Sequence, residues 1–145
     1  MAFRFPLATV LRVKESLEKR EERELQRIQL EMARVSHQMD QLTEAMTKAY
    51  AVRNQALQQA LPAGQLHTML WEAKAAAEAK NALRVTLQGL EERRLKQMKV
   101  YLAAHREHET IINLFNEQRN AYEVEQTRAQ QKYLDDIFIA RRQRG

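Results

Sequence analysis

The 145-residue chain carries 30% charged residues, 6% aromatics, three glycines, two prolines and no cysteine, with a formal net charge of +5. So few aromatics and turn residues exclude a strand-rich globule, and the missing cysteine excludes a disulfide framework and a thiolate metal site, which fits a reducing compartment, read as the cytoplasm. Divided along the chain, the charge nearly balances, with ten basic against eight acidic residues over 1–61, eleven against eleven over 62–140, and the remaining +3 on Arg141, Arg142 and Arg144. Nucleic-acid binding needs basic residues spread along a face or groove, so this pattern predicts no nucleic-acid partner and a charge-mixed surface with a basic tail.

In chain order, the opening Met1 to Leu11 is too short and interrupted for a secretory segment, and acidic residues follow from Glu15. Pro6 suits the first turn of a helix, and no breaker follows until Pro62 and Gly64, which predicts helix one over about residues 7–61 and a turn at 62–65. From Leu25 a seam runs at alternating steps of three and four through Ile28, Met32, Val35, Met39, Leu42, Met46, Ala49, Arg53, Ala56 and Ala60. Such a stripe stays on one helix face for many turns and demands a second helix alongside. Extended backwards, it meets the charged run Glu18 to Glu24 before Leu11 and Leu7, so packing is weak there.

Helix two is predicted over about 66–139, followed by the basic tail 140–145. Its apolar positions read Leu83, Leu87, Leu90 and then Leu95, Met98, Leu102, which predicts a stutter between Leu87 and Leu95, with Gly89 inside it. No run approaches the roughly 20 apolar residues a bilayer crossing needs, so membrane contact is expected to be peripheral. A short connection makes neighbouring helices antiparallel. The fold expected is therefore all-α, a single domain over 1–145 in which two long helices form an antiparallel coiled-coil hairpin. A turn at 62–64 places opposite one another residues whose numbers sum to about 126, setting the charged run against residues 102–108 and leaving Tyr122, Tyr133, Ile137, Phe138 and Ile139 on an exposed overhang, whereas a wider turn including residues 65–71 shifts the register and shortens the overhang.

Two packed helices offer little concavity, the three glycines lie too far apart for a phosphate loop, and His105, His108 and Glu109 are not in His-Glu-x-x-His order. The expectation is a protein with no catalytic residues, no metal and no cofactor.

Phe3-Arg4-Phe5-Pro6-Leu7, then Val10-Leu11-Arg12-x-Lys14-Glu15, a coiled coil of this length and the ending Lys132-Tyr133-Leu134-Asp135-Asp136-Ile137 together resemble the FliJ family of flagellar export proteins. The resemblance spans the chain, with the two terminal motifs its most specific parts. It implies a soluble antiparallel coiled coil, similar to the central stalk of rotary ATPases, whose helix ends enter the hexameric flagellar export ATPase and stimulate it. Further implied partners are the membrane-embedded export gate and the export chaperones, with association at the cytoplasmic face of the inner membrane through those partners. By position, Phe3, Phe5, Leu7, Leu134, Ile137 and Phe138 are the residues implied for the ATPase contact, and Leu42, Met46, Tyr50, Leu70 and Trp71 for the gate contact near the turn. A related injectisome stalk protein shares this architecture, and a generic coiled-coil scaffold binding nucleic acid or protein is the alternative from another class.

Overall fold

The computed structural model describes residues 2–144. Two helices, α1 (Ala8–Leu57) and α2 (Ala63–Arg144), pack against each other as an all-α hairpin, with no strand among the described residues. α1 ends at Leu57 rather than at about 61, and its last carbonyls are satisfied by tight turns, Gln58 N donating to Gln55 O at 3.2 Å and Gln59 N to Ala56 O at 3.1 Å. Pro62 has no N–H to extend a helix, but its carbonyl accepts from Gln65 N at 3.0 Å and Leu66 N at 3.4 Å and so opens α2. Gly64 lies inside that first turn, and a Cβ there would meet nothing within 4 Å. At the other end α2 continues through the basic tail to Arg144, where Arg141, Arg142 and Arg144 complement the negative end of the helix dipole.

The less exposed positions of α1 run Leu11, Lys14, Glu18, Glu21, Leu25, Ile28, Met32, Val35, Met39, Leu42 and Met46, the expected seam extended back through its charged part. On α2 a continuous set of such positions runs Leu83, Leu87, Leu90, Arg94, Gln97, Tyr101, Ala104, His108, Ile111 and Phe115 in unbroken steps of three and four, flanked by the half-buried Glu91, Met98, His105 and Ile112. The expected stutter is therefore absent. Leu95 and Leu102, which defined it, are 51% and 39% exposed. The reason lies further along the helix, because an unbroken heptad keeps Tyr101, Ile111 and Phe115 on the packed face, whereas a slip to Leu95 and Leu102 would turn them away. Arg94 is tolerated in the seam because its guanidinium swings to the Glu91 carboxylate, Nε at 3.0 Å and a terminal nitrogen at 2.6 Å.

The described residues group into two compact units. One is Glu22–Val100, where Leu25, Ile28 and Leu90 are buried and Arg93 flanks the seam 3.8 Å from Glu31. The other joins the chain up to Glu21 to the chain from Tyr101 onward. In that unit Phe5 O accepts from Ala8 N at 3.1 Å, so the Pro6-Leu7 turn leads the extended N-terminal segment into α1. The Phe3 ring lies 5.7 Å from Phe115 and 5.4 Å from Tyr122, and the Phe5 ring meets Phe115 edge-on at 5.3 Å. Tyr122 is thus a packing residue and not part of an exposed overhang. The start of the charged run does face the region expected of it, Glu18 being paired to both His105 and His108, and Lys14 Nζ, before the run, lies 2.8 Å from Glu107.

Candidate functional site

Two surfaces carry the residues singled out from sequence, one at the chain ends and one beside the turn. At the ends, Phe5 is buried and Phe3 and Leu7 are half-buried. Phe3 and Phe5 are engaged with Phe115 and Tyr122 and are not gathered with Leu134, Ile137 and Phe138. Leu134 lies nineteen residues beyond Phe115 on the same helix, about 28 Å of axial rise. Tyr133, Leu134 and Phe138 are 67%, 63% and 68% exposed, and Ile137 is partly covered. Their spacing of one, four and five residues sets all four on one helix face, and Arg141, four beyond Ile137, continues it. The chain preceding α1 is spent on Phe115 and Tyr122, which leaves this apolar face open.

Within the same unit, the weakly apolar stretch of the seam is bridged by charge. Glu18 and His108 side chains are each only 16% exposed, and His105 45%. An ionised carboxylate only accepts, so each histidine presents Nδ1–H, His105 to Oε1 at 2.8 Å and His108 to Oε2. The His105 hydrogen bond holds the Glu18 carboxyl below its ordinary range against the opposing effect of desolvation, and the same bond raises His105. Tyr101 stacks on the His105 ring at 6.1 Å, and Glu109 lies 3.8 Å from its Nε2. Among the described residues no group of three or more side chains is placed to hold a metal ion.

Beside the turn, within Glu22–Val100, a groove of about 500 Å³ opens between the helices, lined by Leu42, Met46, Tyr50, Val52, Arg53, Met69, Glu72 and the alanines 45, 49, 73 and 76. Alanine at successive facing positions leaves space that leucine or methionine fills elsewhere in the seam. Of the residues singled out from sequence, Leu42, Met46 and Tyr50 line this groove, whereas Leu70 and Trp71 stand outside it, 59% and 67% exposed. Arg53 occupies a seam position with its guanidinium carbon 4.9 Å from the Tyr50 ring centroid and its Nε buried without a hydrogen-bond partner.

Two features of these surfaces escaped the sequence reading. Phe115 as the seat of Phe3 and Phe5 depends on an extended segment folding back, which helical periodicity does not report. The groove depends on several alanines meeting across the seam, and its only signal was the thinning of large side chains after Met46.

Among the described residues no helix is long and apolar enough to cross a membrane. No curated protein and no solved structure matches the chain. A family model described as Flagellar FliJ protein matches residues 3–145. That match takes in both terminal motifs and both helices, and the chain belongs to the FliJ family, the non-enzymatic components of the flagellar export apparatus.

Proposed function

We propose that this chain acts as the coiled-coil stalk of the export apparatus, binding the hexameric export ATPase through its chain ends and stimulating hydrolysis that the ATPase itself performs. The observation that carries this reading is the open apolar face of Leu134, Ile137 and Phe138 on a helix that α1 leaves uncovered. Phe3 and Phe5 contribute at the base of the overhanging helix through Phe115 and Tyr122, and Leu7 from the turn that leads into α1. Contact with the membrane-embedded export gate falls beside the turn, on the groove of Leu42, Met46 and Tyr50 and on the exposed Leu70 and Trp71. Export chaperones are handed on from this assembly, and the protein works at the cytoplasmic face of the inner membrane through its partners.

The test is the ATPase rate of the purified export ATPase with and without this protein. Stimulation by the intact chain, lost on removing residues 132–145 or in Leu134→Ser/Phe138→Ser and retained at raised salt, is the expected result. No stimulation by the intact chain defeats the proposal. Stimulation that disappears steeply with salt would place the interaction on the basic tail instead of the apolar face.

A further inference from the structure

We propose that Glu18, His105 and His108 form a clasp that holds the N-terminal turns of α1 against α2 and releases them as His105 loses its charge. The setting makes this consequential. Over Lys14 to Glu21 the α1 seam offers no large apolar side chain, so the hydrophobic layers that hold the helices together elsewhere are missing. In their place one carboxylate is shared by two imidazoles from a single turn of α2, each of its oxygens taken by one Nδ1–H, with Glu18 and His108 largely shielded from solvent.

When His105 is protonated, its contact is a charge-assisted bond to a shielded carboxylate; when it is neutral, Glu18 keeps its charge in the seam without that attraction. Proton loss thus removes the attraction while the desolvation of Glu18 remains. The neighbouring charges reinforce the direction. On α2 His105 is flanked by Glu109 at 3.8 Å, by Tyr101 and by Arg106; on α1 Lys14 is engaged with Glu107 and Lys19 with Glu15 at 3.1 Å, while Glu21 and Glu22 add negative charge beyond Glu18. His105, raised by its bond to Glu18, contributes below the ordinary histidine value of about 6.5, and the contribution is lost as pH rises through its elevated value. What the clasp controls is the aromatic contact beside it, since releasing α1 here also frees Phe3 and Phe5 from Phe115 and Tyr122. This device does not depend on which partner meets the chain ends.

Nitroxide labels on cysteines at Arg12 and Asn113, both exposed and within this unit, report the distance between the two helices by pulsed electron resonance. The expected result is one short distance at about pH 5.5 and an added long-distance population at about pH 8.5. His105→Gln/His108→Gln, neutral hydrogen-bond donors, should show the long population at both values. Glu18→Leu, which restores an apolar layer, should show the short distance at both, with helicity by circular dichroism confirming that each variant folds. An unchanged distance distribution in the parent chain, or a pH response that survives in the double glutamine variant or in Glu18→Leu, overturns the clasp.

Discussion

Phe5 lies edge-on against Phe115 with ring centroids 5.3 Å apart, and among the described residues before α1 it is the one that is buried. The relationship ties an N-terminal segment without helical hydrogen bonds of its own to a point two-thirds of the way along α2. Removing the ring takes away both its burial and an aromatic pair, so Phe5→Ala should cost about 2–4 kcal/mol. Hydrogen exchange should localise the loss to residues 8–21 and 101–122. Equal loosening along the whole of both helices would contradict this assignment.

The unbroken seam of α2 ranks its leucines. Leu90, 6% exposed, should cost about 2–4 kcal/mol on replacement by alanine, whereas Leu95→Ala and Leu102→Ala should each stay under about 1 kcal/mol. Urea unfolding of the three variants decides the matter. The reverse ranking would mean that the helix slips its register after Leu90.

Gly89 sits in mid-helix, where a Cβ would meet nothing within 4 Å. Gly89→Ala should therefore raise stability by about 0.5–1 kcal/mol, through the restricted unfolded chain and better helix propensity. A lowered melting temperature would show that the open space is filled in solution.

Arg53 and Arg94 occupy equivalent seam positions with opposite fates. Arg94 is paired bidentately with Glu91, and Arg53 leaves Nε buried and unpartnered over Tyr50. Arg53→Leu should consequently stabilise the chain by about 1 kcal/mol, the gain from removing an unsatisfied buried donor exceeding the lost ring contact. Arg94→Leu should gain less, because it strands Glu91. A thermal melt in which Arg53→Leu is the less stable of the two would refute the contrast.

Two opposing titrations bound the pH range of greatest stability. Glu18 and Glu91 carry carboxyls lowered by their bonds to His105 and Arg94, so their stabilisation is present above the unfolded value of about 4.5 and is lost as pH falls through their depressed values. His105 is raised, so its share is complete below about 6.5 and fades above its elevated value. The melting temperature should peak between these limits, and Glu18→Gln should flatten its alkaline limb. A plateau unaffected by that substitution would remove His105 from the account.

That two helices pair was legible from residue spacing alone. One apolar stripe at coiled-coil spacing, with Pro6, the Pro62-Gly64 pair and Gly89 as the few internal breakers, admits few other arrangements, because only a neighbouring helix can bury Leu25, Ile28 and Leu90 while leaving so many charges in water. The terminal motifs carried the family as well. Tertiary structure alone decided how the polar seam positions are satisfied and where the non-helical segment goes. Periodicity marks which side chains face inward, but not that Glu18 serves two histidines, that Arg94 escapes to Glu91, or that Phe3 and Phe5 turn back onto Phe115 and Tyr122. Those outcomes depend on which atoms of the facing helix lie within reach, a quantity set by register and not by the spacing of residues along one chain.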